Sequence, residues 1–347
     1  MKRVGILGLP QSGKTTLFEI LMQGAGAAAT TAAGREAVGV VRVPDARVDR
    51  LSALYQPKKT THAAIQFVDS AAAAQAGARA AKKTDPFASV RLCDALVAVV
   101  RDFEDPAGRP AEPERDAKTL EADLILNDLG IAESRIEKLE KELRIGKKEG
   151  ERELLLLRRC RERLESGEPM RAQAVDAEEE RMLRGFQLLS RKPLLVVYNQ
   201  DEGSRRTPAD AGVGAMAVAL RAHLEREIVA LGPSERDAFR SEMGIEEDGL
   251  SLVIRSCYRL LGLISFFTVG PDEVRAWTLR EGEHSVDAAG EIHTDLARGF
   301  IRAEVIACER LLEAGGEKKA REKGWMRLEG RDYVVQDGDC IEIRFNR

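Results

Sequence analysis

The run Gly8-Leu9-Pro10-Gln11-Ser12-Gly13-Lys14-Thr15 constrains this chain more than any other stretch, because it satisfies G-x-x-x-x-G-K-[ST], a spacing that wraps backbone around phosphate. Val4, Ile6 and Leu7 form an apolar run before it, and Leu17, Phe18, Ile20 and Leu21 fall at helical spacing after it. Strand, loop and helix are therefore expected in that order. Glycines at 8 and 13 let backbone N–H groups converge on phosphate oxygens, and the following helix adds its N-terminal dipole. The expected phosphate-binding set is Gly8, Pro10, Gln11, Ser12, Gly13, Lys14, Thr15 and Thr16. Lys14 can reach the β and γ phosphates and is the catalytic candidate, while the Thr15 hydroxyl can ligate Mg²⁺.

A length of 347 residues leaves room for two to three domains around this loop. The net charge of -4 attracts no polyanion globally, so any nucleic-acid contact must come from a local patch. Cys93, Cys160, Cys257, Cys308 and Cys340 are scattered and contain no C-x-x-C pair, against both a disulfide framework and a zinc site. The first strand begins almost at Met1, leaving no space for a cleavable signal, and no apolar run approaches the roughly 18 residues of a membrane span. A cytoplasmic protein with no membrane partner is expected.

Beyond the loop, Gly24 to Gly34 is made of Gly, Ala and Thr, with too little side-chain volume to build a core, and reads as a mobile loop. In nucleotide-cleaving proteins this position supplies a Thr to Mg²⁺ and the γ-phosphate, a role open to Thr30 or Thr31, with Thr31 the metal candidate, or to neither. Val38 to Val43 reads as a strand, Pro44-Asp45 opens a helix through Tyr55, and Ala64 to Asp69 is a second strand ending in an acid. Asp69 is placed to face the Mg²⁺. The next residues are Ser70-Ala71-Ala72 where nucleotide switches carry D-x-x-G, and Ala72 cannot readily take the positive φ that Gly permits. The Ala-rich run from Ala73 to Ala81 favours a helix over a moving Gly-rich loop.

Asp94 to Arg101 is a continuous apolar strand of the kind buried in a parallel sheet. From Ala117 to Leu143 a heptad seam follows: Ala122, Leu129, Ile136 and Leu143, with Ile125, Ala132 and Leu139 between them. Residues 114–191 are thus an inserted helical hairpin, turned at Gly146 to Gly150. The sheet resumes at Leu194 to Tyr198 and ends in Asn199-Gln200-Asp201-Glu202. Many nucleotide-binding domains recognise the base there with N-K-x-D, and Asn199, Gln200 and Glu202 are the base-site candidates. Adenine presents one donor and one acceptor, guanine two donors, so Glu202 in place of Asp weakens strict guanine selectivity. Gly212 to Leu220 reads as the last strand, Leu224 to Met243 as helical, and Gly249 to Leu261 as a closing helix. Residues 264–347 read as a small α+β module with strands Val274 to Leu279 and Asp339 to Phe345 around a helix from Ser285 to Arg298. Acidic residues outnumber basic ones in it, against RNA binding by bulk charge. His293 reads as structural, and His62, His223 and His284 show no ligand or base pairing.

Over nearly its whole length the chain resembles the YchF-type, or Obg-like ATPase, family of P-loop NTPases. The residues that carry this are Gly5 to Pro10 with Gly13-Lys14-Thr15, Val41 to Arg47, Gln56-Pro57-Lys58-Lys59, Glu273 to Thr278, Ile292 to Asp295, Gly299 to Val305 and Asp332 to Asp339. The resemblance implies a doubly wound α/β P-loop domain at 1–113 and 192–263, a coiled-coil hairpin at 114–191, and a ubiquitin-like TGS module at 264–347. It implies ATP preferred over or alongside GTP, an N-x-x-E base motif at Asn199 and Glu202, Mg²⁺ dependence, and a ribosome or translation-related protein or RNA as partner of a monomer. Its members carry an apolar residue in place of a catalytic Gln, which Ala73 fits, and often a His where this chain has Ala98. Two readings follow: a slow Mg²⁺-dependent NTPase, or a hydrolysis-deficient protein whose nucleotide orders the hairpin and module for a partner.

Overall fold

The structure, a computed structural model, describes residues 1–24, 28–32, 36–69, 85, 87–105, 107–145, 150–204, 206–208, 211–212, 214–243, 245 and 248–346. The D-x-x-G position at Ala72, the Ala-rich run from Ala73 to Ala81, and most of the hairpin turn lie outside them. The chain forms two compact units, one of residues 1–40 and 66–260 and one of residues 41–65 and 261–347. Among the described residues no helix is long and apolar enough to cross a membrane.

The first unit is α/β. Strands β1 (Arg3–Gly8), β2 (Ala28–Ala32), β3 (Glu36–Arg42), β5 (Ala64–Asp69), β6 (Ala95–Asp102), β7 (Leu194–Gln200) and β8 (Ala215–Leu220) form one sheet in the order β2-β3-β5-β1-β6-β7-β8. β1 pairs in parallel with both β5 and β6, and β7 in parallel with β6 and β8. β1, β6 and β7 are nearly continuous apolar runs because both faces of a parallel sheet are covered. Strand order reverses about β1, which puts the loop after β1 at the carboxyl end of the sheet where such folds bind ligands.

The segment expected to be a mobile loop instead contains β2, antiparallel to β3 with Thr30 opposite Val38 and Thr31 opposite Ala37. Low side-chain volume prevents a core but not a ladder, since an edge strand is held by backbone hydrogen bonds.

Helix α1 (Lys14–Gly24) follows the loop. Between β6 and β7 come α3 (Pro113–Arg144), α4 (Glu151–Glu165), a 3₁₀ turn at Met170–Ala172 and α5 (Ala177–Arg184). α3 presents two faces. Leu120 and Leu124 pack with Leu96, Leu194 and Tyr198 over the sheet, so its first half is the crossover helix of the α/β layer. Ile136 and Leu139 pack with Leu154 and Leu157 of α4, and Ile125 packs with Leu156, Cys160 and Leu164. The expected seam holds from Ile125 onward; Ala122 is exposed, because the seam rotates away from α4 where α3 meets the sheet. Asp128, fully buried on α3, accepts from Leu189 N (2.8 Å) and Ser190 N (2.7 Å), fixing the chain's return toward β7.

After β8 the expected single helical stretch is split into α6 (Ala222–Ala230) and α7 (Pro233–Glu242), with Pro233 at the first helical position where its missing N–H is harmless. α8 (Gly249–Leu260) closes the unit.

The second unit contains the excursion α2 (Ala46–Tyr55) and β4 (Lys59–Thr61) together with β9 (Leu263–Thr268), β10 (Glu273–Arg280), α9 (Ser285–Ile292), α10 (Thr294–Arg298), β11 (Phe300–Ala307), α11 (Cys308–Ala314), α12 (Glu317–Glu322), β12 (Arg327–Glu329) and β13 (Asp339–Phe345). Its sheet runs β12-β11-β13-β9-β10-β4. Asp45 caps α2 by accepting from Arg47 N (3.0 Å), and the Arg47 guanidinium donates to Asp337 (2.8 Å), whose other oxygen accepts from Ser265 N (2.9 Å). The helix expected from Ser285 to Arg298 breaks at His293, which is extended and whose Nδ1 accepts from Asp295 N (3.2 Å) to cap α10.

Replacing Asp128 with Ala strands two buried backbone donors. The expected loss is about 1–3 kcal/mol per donor, read as a lowered urea midpoint with an unchanged slope; Asp128→Ser, which retains an acceptor, recovers part of it.

Candidate functional site

The loop between β1 and α1 is shaped by close approaches that only small residues allow. Gly13 has φ +98°, and a Cβ there would stand 2.3 Å from Asn199 Nδ2. At Gly8 a Cβ would stand 2.4 Å from Val99 O and 2.8 Å from Ser12 Oγ. Gln11, without glycine's freedom, adopts φ 64° and forms the outer corner of the loop. Ser12 is buried, its Oγ lacks a hydrogen-bond partner among the described residues, and its carbonyl accepts from Asn199 Nδ2 at 3.1 Å.

Asn199 ends β7 and joins three elements. While Nδ2 holds the loop, Oδ1 accepts from Ala222 N at 3.1 Å, the first residue of α6. Phosphate loop, strand end and helix start are therefore locked through one buried side chain. Between them lies a cavity of about 870 Å³ lined by Gln11, Gly13 to Thr16, Phe103, Asn199 to Gly203, Ala222, His223 and Arg226. Its volume lies within the range of small-ligand sites.

Lys14 Nζ donates to Gly8 O (2.9 Å) and Leu9 O (2.7 Å). Burial holds its proton affinity below that of an ordinary lysine, and the Asp69 carboxylate partly opposes this. Asp69 is buried at the end of β5, where Ile6 of β1 is its register partner. Thr15 is exposed on the cavity wall at the start of α1. A hydroxyl and a carboxylate are both hard oxygen donors, the ligand type that Mg²⁺ takes.

Of the sequence candidates, Gln11, Gly13, Lys14, Thr15, Thr16, Asn199, Gln200 and Glu202 share the cavity wall. Gly8, Pro10 and Ser12 belong to the loop beneath it, and Thr30 and Thr31 lie in β2, outside the described lining. Gln200 turns its amide inward, donating to Asp102 Oδ2 (3.0 Å) and Arg206 O (2.8 Å). Ala98 is buried within β6. Six residues of the wall are not among the sequence candidates: Phe103, Asp201, Gly203, Ala222, His223 and Arg226. His223 Nδ1 lies 3.1 Å from Glu202 Oε1 and 3.8 Å from Glu227 Oε1. Its signal, a His at the second position of a helix that follows a strand, is too common to single out.

On the far side of α6, Glu225 is buried and accepts from Gly249 N at 2.9 Å. A Cβ on Gly249 would stand 2.7 Å from that carboxylate. Burial and the neighbouring Asp248 push the Glu225 carboxyl up to about 7, with Arg240 acting in the opposite sense.

Residues 263–346 match the family model YchF-GTPase_C, described as a protein of unknown function. The chain is 38% identical to the Ribosome-binding ATPase YchF of Bacillus subtilis (strain 168), over 99% of this chain and 98% of that one. It is 36% identical to the protein of the same name from Escherichia coli O157:H7, over 99% of each. Among solved structures it is similar to the Schizosaccharomyces pombe YchF GTPase, with a TM-score of 0.83 at 26% identity, covering 99% of this chain and 97% of that one.

Two outcomes follow from this geometry. Asn199→Ala removes both bonds that hold the loop against α6 and should lower stability by about 1–3 kcal/mol, with nucleotide affinity falling alongside in a titration. Glu225 keeps its proton to about pH 7 when folded but only to its ordinary 4.5 when unfolded. Folding therefore takes up a proton between those values, and stability falls as pH rises through that window. Glu225→Gln, whose carbonyl still accepts from Gly249, should flatten the fall by on the order of 3 kcal/mol in denaturant titrations at pH 5 and pH 8.

Proposed function

The chain belongs to the YchF family, and from that premise we propose that it is a slow Mg²⁺-dependent P-loop nucleoside triphosphatase for ATP, GTP or both, acting as a ribosome-associated factor in the cytoplasm. The observation that carries this reading is the continuous cavity that joins Gly13 to Thr16 with Asn199 to Glu202. Phosphates belong at the first group and the purine at the second.

In this reading the loop N–H groups at the start of α1 receive the phosphate oxygens, where the helix dipole and converging donors favour negative charge. Lys14 exchanges the carbonyls of Gly8 and Leu9 for β and γ oxygens. Phosphate anions offset the burial that weakens its hold on its proton. Thr15 and Asp69 would hold Mg²⁺, which would offset the negative charge of the phosphates. Asn199 keeps loop and α6 in register so that phosphate and base sites stay at one separation. Glu202 supplies an acceptor to the exocyclic amine of the purine. Ala73 stands four residues after Asp69, at the position where other enzymes of this class place the Gln that orients the attacking water, and slow turnover follows.

The names of the relatives support ribosome association. In this reading the hairpin at 114–191 and the module at 264–347 are the parts available to a partner, and the protein works as a monomer.

Single-turnover release of phosphate from bound ATP tests the enzyme reading. The wild type should exceed buffer, and Lys14→Ala should lose the reaction and weaken binding about 100-fold, the worth of two charge-assisted hydrogen bonds. ATP that binds tightly yet is cleaved no faster than in buffer would instead leave a nucleotide-gated interaction protein. GTP favoured by more than about 100-fold over ATP would contradict the assignment of Glu202.

A further inference from the structure

The base end of the cavity contains a second group whose chemistry matches a problem that Glu202 cannot solve alone. A carboxylate only accepts hydrogen bonds. Against guanine, whose edge offers N1–H and N2–H₂, two carboxylate oxygens meet two donors. Against adenine, N6–H₂ satisfies one oxygen, but the neighbouring N1 is an acceptor and faces the second oxygen lone pair to lone pair. A site that holds adenine well needs a donor beside the acceptor.

We propose that His223 is that donor, and that Glu202 and His223 together form a donor–acceptor pair that sets purine selectivity. This rests on the assignment of the cavity to a nucleotide. His223 lines the same cavity and comes from α6, not from the loop that carries Glu202. Nδ1 faces Glu202 Oε1 at 3.1 Å and Glu227 Oε1 at 3.8 Å. Nε2 has no partner among the described residues and is the nitrogen left to address a ligand. With the ring protonated, both nitrogens donate: Nδ1–H holds the Glu202 carboxylate in place and Nε2–H meets adenine N1, while Glu202 accepts from N6–H₂. With the ring neutral and Nδ1–H retained on Glu202, Nε2 becomes an acceptor, and the pair presents two acceptors, the complement of guanine. The ionisable groups that face the ring are Glu202 from the loop and Glu227 from α6; Arg226 and Asp201 line the same cavity.

The pair is exposed at both ends, so removing it leaves the fold intact. The test is calorimetric titration of chelator-treated protein with Mg²⁺ and ATP or GTP, for the wild type, Lys14→Ala, His223→Ala and His223→Lys. The charge of the triphosphate is common to both nucleotides and cancels in the ratio of their dissociation constants. In the wild type that ratio should favour ATP about tenfold more than in His223→Ala, the worth of one hydrogen bond to a charged group. His223→Lys, which keeps a donor, should keep the wild-type preference. A ratio unchanged by His223→Ala while both nucleotides still bind, and Lys14→Ala weakens both, overturns the role of His223 and leaves the cavity assignment standing. No binding of either nucleotide to the wild type overturns both.

Discussion

Asn199 is the residue on which the geometry of the first unit turns. A single amide bridges Ser12 O and Ala222 N, and so ties the phosphate loop to the helix that borders the base end of the cavity. Each bond alone is worth only about 1 kcal/mol net. The constraint is stronger than that figure, because Asn199 and Gly13 require each other: the amide nitrogen occupies the space where any Cβ at 13 would stand. The glycine of the motif thus serves the brace as well as the phosphate. Two motifs read separately in the sequence are one packed unit.

Helix α6 passes that constraint on. Its short span presents Ala222, His223 and Arg226 to the cavity, while Leu224, Ile228 and Val229 are buried behind and Glu225 reaches back to the first N–H of α8. A carboxyl capping α8 satisfies one orphan donor at that helix start. It does so from a dry site beside Asp248, which is why the proton is held so strongly. The cavity wall formed by α6 is therefore anchored from behind by a group whose charge state changes near neutrality. Glu225 and His223 sit two residues apart and face opposite sides of one helix, so charge on either face bears on the same short element.

Much of this was legible from residue order. The loop, its strand and helix, the acid at the end of β5, the buried runs of β6 and β7, and the hairpin seam from Ile125 to Leu143 all rest on local patterns, and local patterns are what a sequence displays. Where packing decides, the pattern fails. Ala28 to Ala32 has no core-forming side chains, yet the free edge of β3 gives its backbone a ladder. Ala122 fits a heptad but faces away, because α3 serves the sheet first and α4 second. Residues 41–65 read as one more strand and helix of the nucleotide domain. They lie instead in the second unit, where Arg47 joins Asp45 to Asp337 across 290 positions of sequence. Nothing in the local composition of α2 announces that bond.

His223 is the sharpest instance of the same limit, and it shows why the limit has a physical cause. A pair of site residues is legible in sequence when the two lie close along the chain, as Asn199 and Glu202 do. Complementarity to an asymmetric edge such as adenine's needs a donor and an acceptor side by side at a separation fixed to a few tenths of an ångström. One flexible loop seldom fixes two such groups, since each added rotamer costs entropy when it is ordered. Taking the second group from the start of a helix that is already clamped to the loop by Asn199 removes most of that cost. The contact between Glu202 and His223, 21 positions apart, is then a consequence of the brace at Asn199. The setting of His223 against Glu202 and the shape of the loop after β1 depend on the same two hydrogen bonds.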